Sequence, residues 1–207
     1  MLDVLKGASV GDSIGIFLPK DSIPTLPPEF SNVAYIEYRL SVTEIVDEET
    51  YRARADQERV KAKEIADALI AREPEVASLV NSTLDRFNKG QLTNELKTVE
   101  GDLKYLIIEE GTGPRAENGK AVAAQYYGST YDGNMFDNSF KRGRGFTLTV
   151  GTGSVIQGWD KTFPMLNEGT KAMIFIPSAL AYGEMGSPPN IGPNQDLAFY
   201  VEIESVQ

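Results

Sequence analysis

The period of apolar and polar positions changes twice along the chain, dividing it into three stretches. Ile14-Gly15-Ile16-Phe17-Leu18-Pro19 is a short apolar run stopped by a proline, and Lys20 to Pro28 holds three prolines and reads as a loop. From Ala34 to Thr43 the positions alternate, with Ile36, Tyr38, Leu40 and Val42 on one face. That period of two predicts a strand with one buried side.

Residues 47–90 switch to helical spacing. Asp47-Glu48-Glu49 suits a capped, acidic helix start. Tyr51, Ala55, Ala62, Ile65, Ala66 and Leu69 then form a stripe, while half of the residues from Asp47 to Val76 are charged. Pro74 fits the first turn of a second helix, striped by Val76, Leu79, Val80, Leu84 and Phe87 and stopped at Gly90. Both stripes are expected to be packing surfaces. Asn81-Ser82-Thr83 matches a glycosylation sequon but falls on a helix, where a chance match is the plainer reading.

Residues 91–207 return to strand patterns. Leu103–Glu109, Ala121–Tyr131, Phe146–Val150, Lys171–Ile176 and Leu197–Val206 are five candidates, and Asp132-Gly133 is a hairpin signal. Only Val155–Thr162 reads as a short helix. Few helices among consecutive strands predict an antiparallel α+β domain.

The two ends of the chain also resemble each other. Residues 11–19 align without a gap on residues 169–177, and Ile36, Tyr38, Leu40, Val42 and Ile45 match Leu197, Phe199, Val201, Ile203 and Val206. Two segments matching in order imply that residues 1–46 are the carboxyl-terminal part of a degenerate second copy of the later domain. The chain then divides into this partial unit, a helical linker of two helices over 47–90, and a complete domain over 91–207. The position corresponding to Tyr182 falls near Ile23 or Pro24, with no Tyr-Gly pair, so the first copy is expected to be a scaffold or binding remnant.

Composition narrows the chemistry. The 207 residues hold 30 acidic and 20 basic side chains, no histidine and no cysteine. Thiolate nucleophiles, disulfides, imidazole bases and zinc sites of the usual kinds are therefore excluded. A formal charge of −10 argues against nucleic acid as a partner. No apolar run approaches the ~20 residues that span a bilayer, and Met1–Lys6 lacks the character of a signal peptide. Asp132, Asn134 and Asp137 do not have EF-hand spacing, so no metal is expected. Gly111-x-Gly113 is followed by no helix pattern, which rejects a dinucleotide site and leaves no cofactor. What remains is carboxylate, hydroxyl or lysine chemistry, or a site that works mainly by shape and apolar environment.

Tyr126-Tyr127-Gly128, Phe136-Asp137, Phe146, Val155-Ile156-Gln157-Gly158-Trp159, Ala181-Tyr182-Gly183 and the final alternating strand occur in this order. Taken singly these aromatics would be core residues. As a set, the stretch over roughly residues 100–207 resembles the FKBP-type peptidyl-prolyl isomerases, the macrolide-binding immunophilins. The resemblance implies a twisted antiparallel sheet wrapped around one short helix, with an apolar pocket between them. It implies a catalytic set of Tyr126, Phe136, Asp137, Trp159, Tyr182 and Phe199, and substrate contacts from Phe146, Val155, Ile156, Ile191 and Arg142. Trp159 would form the floor, and the Ile156 amide and Tyr182 hydroxyl would donate to ligand carbonyls. Ser187 and Asn190 depart from the residues common in relatives.

The missing residue types are no obstacle to that chemistry. Amide rotation faces a barrier of ~18–20 kcal/mol from resonance, and the twisted amide has lost part of its charge separation. An apolar, water-excluding pocket favours it over the planar ground state without nucleophile or metal. The resemblance implies proline-containing unfolded or extended polypeptides as partners, macrolides as further ligands, and a role in protein folding. A non-catalytic chaperone or interaction module using the same groove is the rival reading, and a homodimer through the helical segment or half domain is a third. Tandem units joined by a charged helix resemble bacterial cell-envelope folding factors, which favours the periplasm over the cytoplasm.

Overall fold

The computed structural model describes residues 7–23 and 32–207, so Met1–Lys6 and Pro24 fall outside it. The chain forms two compact units, residues 1–59 and 60–207, with the division inside one long helix.

In the first unit, β1 (Ser13–Pro19) pairs antiparallel with β2 (Tyr35–Ser41), placing Ile14 opposite Leu40, Ile16 opposite Tyr38 and Leu18 opposite Ile36. The expected buried side of β2 is not covered. Tyr38 is 48% and Leu40 40% exposed, because among the described residues no third strand or second layer joins this hairpin. Asp47 caps the helix that follows, its carboxylate accepting from the Thr50 amide at 2.7 Å.

Helix α1 runs unbroken from Glu48 to Asn88, which corrects the expectation of two helices separated at Pro74. An interior proline costs a helix about 3 kcal/mol. Leu69, Val76, Val80 and Leu84 lie on both sides of it and are all buried, each contributing about 1.5–3 kcal/mol, so packing outweighs the break. The expected first stripe packs only at its carboxyl-terminal end: Tyr51 is 65% and Ile65 61% exposed, and full burial begins at Leu69.

The second unit is built on a seven-stranded antiparallel sheet. Its strands are β3 (Lys97–Glu100), β4 (Leu103–Glu109), β5 (Ala121–Thr130), β6 (Met135–Asn138), β7 (Phe146–Thr149), β8 (Lys171–Ile176) and β9 (Leu197–Val206). The spatial order is β3-β4-β8-β9-β5-β6, with β7 also paired to β5. Two short helices, α2 (Ser139–Arg142) and α3 (Gln157–Thr162), complete the unit. The four-residue strands β3 and β6 and the single-turn α2 are too short to carry a legible period.

Alternation along the strands makes two cores. Ala172, Ile174 and Ile176 of β8 join Phe199, Val201 and Ile203 of β9 around Trp159 and Phe163. Met173, Phe175, Ala198 and Tyr200 face the other way, onto Leu69, Val76, Val80 and Leu84 of α1. Phe87 stacks on Phe175 with ring centres 4.0 Å apart. The segment expected as a linker therefore supplies the sheet's outer layer with its carboxyl-terminal half.

The two hairpins at the ends of the chain share one geometry. β8 and β9 place Ala172 opposite Val201, Ile174 opposite Phe199 and Ile176 opposite Leu197, the register of β1 and β2 residue for aligned residue. The Gly11 amide donates to Val42 and that of Val42 to Asp12; Gly169 donates to Ile203 and Ile203 to Thr170. Gly11 has φ 96° and Gly169 φ 88°. Pro19 and Pro177 each lead into a three-residue 3-10 turn, Lys20–Ser22 and Ser178–Leu180.

Candidate active site

The site begins with a bulge. The β5–β6 hairpin turns at Gly133, and its register slips so that Asp137 opposes Gly128 while Met135 opposes Ser129. Phe136 is the extra residue, and a bulge re-aims side chains that strict alternation would send to opposite faces. Phe136 and Asp137 consequently both reach one cavity.

That cavity has a volume of about 210 Å³. Tyr126 enters from β5, Phe146 from β7, Trp159 from α3 and Phe199 from β9, and Ser154, Val155, Ile156 and Tyr182 come from the connecting loops. Trp159 is 4% exposed and lies beneath the others: its ring is 5.4 Å from Tyr126 and 5.2 Å from Phe199, both edge-to-face, and stacks on Phe163 at 4.9 Å. Edge-to-face pairs are a favoured arrangement of aromatic quadrupoles. Gly128 permits the wall to close, since a Cβ there would lie 2.8 Å from both the Phe136 and Phe199 rings.

One polar cluster interrupts the apolar lining. The Tyr126 hydroxyl donates to Asp137 and accepts from Arg142 at 2.6 Å, and Arg142 also pairs with Asp137. Burial, reinforced by the bond to Asp137, pushes the Tyr126 phenol up to about 12, against an opposing effect of Arg142. No side chain here is poised as a nucleophile. The arrangement fixes a carboxylate and a phenol at the edge of an apolar cavity.

Ten of the eleven expected residues meet here: nine line the cavity and Arg142 holds two of them. Ile191 differs, being 4% exposed within the surrounding core. Ser154 lines the cavity and was not expected, although it directly precedes Val155-Ile156. Among the described residues, nothing accepts the Ile156 amide proton, which leaves a donor beside the cavity. Tyr182 is 40% exposed at the rim.

A family model described as FKBP-type peptidyl-prolyl cis-trans isomerase matches residues 113–204, which include every cavity residue. FK506-binding protein 1 of Candida albicans is 41% identical over 56% of this chain and 98% of its own length. The chain belongs to the FKBP-type peptidyl-prolyl cis-trans isomerases. FK506-binding protein 1 of Saccharomyces cerevisiae is 40% identical, with 53% of this chain and 97% of the relative covered. The Coxiella burnetii peptidyl-prolyl cis-trans isomerase Mip is 37% identical over 54% of this chain and 48% of its own length. Among solved structures, the crystal structure of AtFKBP13 matches with a TM-score of 0.51 at 31% identity, over 55% of this chain and 99% of that one. These FKBP relatives match about half of the chain, and the family model begins beyond α1.

Proposed function

We propose that the cavity accelerates Xaa-Pro bond rotation by taking the prolyl ring against Trp159 and holding the amide as it twists. The observation that carries this reading is one cavity enclosed by Tyr126, Phe136, Phe146, Trp159 and Phe199 with a single fixed carboxylate at its edge. The ring displaces water onto aromatic faces, and the twisted amide gains relative to the planar one in apolar surroundings. The Ile156 amide is the donor for a substrate carbonyl, and the Tyr182 hydroxyl stands at the rim for a second. Asp137 is oriented by Tyr126 and Arg142, so it lies fixed beside the rotating bond instead of needing to reorganise. A millionfold acceleration needs about 8 kcal/mol, within reach of several aromatic contacts and a few oriented hydrogen bonds.

Extended, proline-containing chains in protein folding are the substrates this open site suits, and a macrolide is a further ligand for the same aromatic walls. Periplasmic placement rests on the resemblance of the tandem arrangement alone. Exchange spectroscopy on an Ala-Leu-Pro-Phe peptide tests the reading: the native chain accelerates cis-trans exchange, and Trp159→Leu and Asp137→Val slow it. Background exchange in all three would leave a holding groove.

We infer further that residues 1–46 are the closing hairpin of a second, degenerate FKBP-like unit. The shared register, flanking hydrogen bonds, left-handed glycine and Pro-3-10 turn of the two hairpins support this. Grafting residues 13–19 and 36–42 in place of 171–177 and 197–203 tests it. A chimera that unfolds cooperatively fits duplication, and loss of the sheet signal in circular dichroism goes against it.

A further inference from the structure

Helix α1 reaches the cavity wall through α2, and the contact is made at both ends of that single turn. At its start, the Asn138 side-chain oxygen accepts from the Lys141 amide at 2.6 Å and caps the turn. The same amide group must therefore turn its nitrogen outward, and that nitrogen donates to Glu73 of α1 at 3.2 Å. At its finish, Gly143 caps α2 with φ 65°, and a Cβ there would lie 2.7 Å from that of Ala66, so the α1 surface touches the cap. In the middle, Phe140 is fully buried with the Arg72 guanidinium 5.4 Å from its ring centre. Arg72 is itself fixed by two hydrogen bonds to Glu202, at 2.6 and 3.2 Å, and Glu202 also accepts from Tyr200 at 2.7 Å.

The other side of α2 is tied to residues of the cavity wall and their neighbours. Ser139 accepts from the Tyr126 amide at 2.8 Å and donates to Gln125. Arg142 ends the turn with its guanidinium on Asp137 and the Tyr126 hydroxyl. A rotation of four residues about their caps would carry Arg142 off both partners, because the turn has no length of its own to resist it.

We propose that Glu73 of α1 is a positioning residue for the isomerase cavity: through Asn138 it sets the orientation of α2, and α2 sets Arg142 on Asp137 and Tyr126. This rests on the isomerase reading for its effect on rate, but the placement of Arg142 can be read independently. The family match starts at residue 113, so Glu73 lies outside the segment matched to the family model.

The test uses the full chain with Glu73→Ala, Glu73→Gln, Asn138→Ser and the double variant Glu73→Ala/Asn138→Ser. Serine keeps a capping oxygen but has no amide to offer Glu73, whereas glutamine keeps an acceptor. Two readouts are taken: kcat/KM on the Ala-Leu-Pro-Phe peptide and the guanidinium NMR signals of Arg142. Glu73→Ala and Asn138→Ser each lower kcat/KM about fivefold and move the Arg142 signals towards those of a free guanidinium. The double variant is no worse than either single one, since both cut the same link. Glu73→Gln restores both readouts. Unchanged Arg142 signals in both single variants, additive losses, or a Glu73→Gln as impaired as Glu73→Ala would each overturn the proposal. Should the native chain prove inactive on the peptide, the Arg142 signals still decide it.

Discussion

Arg142 lies 5.2 Å from the ring centre of Tyr126 and donates to its hydroxyl at 2.6 Å, so one guanidinium meets both the face and the tip of the same phenol. With Asp137 as the common acceptor, the three side chains form a closed polar set on an otherwise apolar wall. A hydrogen bond to a charged group contributes about 1.5–3 kcal/mol. Tyr126→Phe should therefore lower kcat/KM on an Xaa-Pro peptide about tenfold, while thermal unfolding shows the fold retained. Native activity in Tyr126→Phe would remove the polar set from the mechanism.

Burial makes the same tyrosine resist ionisation. The Tyr126 phenol is pushed up to about 12, and burial also raises Tyr127, Tyr131 and Tyr200 above their ordinary value of 10.0. Because folding favours the neutral phenol, the stabilisation is complete below pH ~10 and is lost as pH rises through the folded values. Absorbance at the phenolate band, followed with circular dichroism, should show a late group of tyrosines ionising together with loss of structure. Complete ionisation by pH ~11 with the fold intact would contradict this burial.

Trp159 is the sole tryptophan, which makes the cavity its own reporter. At 4% exposure in the free protein it already has an apolar environment. A proline-containing peptide or a macrolide seated over its ring should change emission intensity more than wavelength, with saturation at one ligand per chain. Trp159→Phe should abolish the signal. Ligand binding by calorimetry without any change in Trp159 emission would place the ligand elsewhere.

Gly128 has room for no side chain. Alanine would bring a methyl to 2.8 Å of both Phe136 and Phe199, whose rings pack edge-to-face at 5.5 Å. Overpacking of this kind costs about 1–3 kcal/mol. Gly128→Ala should raise KM for the peptide and lower the unfolding free energy by that amount. Unchanged KM and stability would show that the wall yields freely.

The outer layer gives a prediction on stability alone. Leu84 is 2% exposed on α1 in the core beneath Met173 and Phe175. Leu84→Ala should cost about 2–5 kcal/mol in denaturant unfolding of the 60–207 unit. A loss below ~0.5 kcal/mol, as for an exposed position, would return α1 to the status of a linker.

The cavity was legible in the sequence because its residues sit in short, chemically distinctive runs. Phe136-Asp137, Val155-Ile156 with Trp159, and Tyr182-Gly183 keep fixed local spacings wherever the fold brings them. Ser154 gave no such signal, since a serine before a strand-like pair fits any loop. Pro74 misled by the same local logic. A proline at helical spacing reads as a first turn, and only burial on both sides of it keeps one helix running from Glu48 to Asn88. Tyr38 and Leu40 misled in the opposite sense: alternation marks a face that could be buried, not one that is.

The sequence by itself determined the strand and helix periods, the absence of imidazole and thiolate chemistry, the aromatic set of the cavity and the matching ends of the chain. These follow from residue type and spacing, which act over a few neighbours. Tertiary structure alone decided that α1 covers the outer face of the sheet, that a bulge turns Phe136 and Asp137 together, and that Glu73 meets Asn138 across 65 residues. Such contacts depend on where distant elements come to rest, and no local period records that.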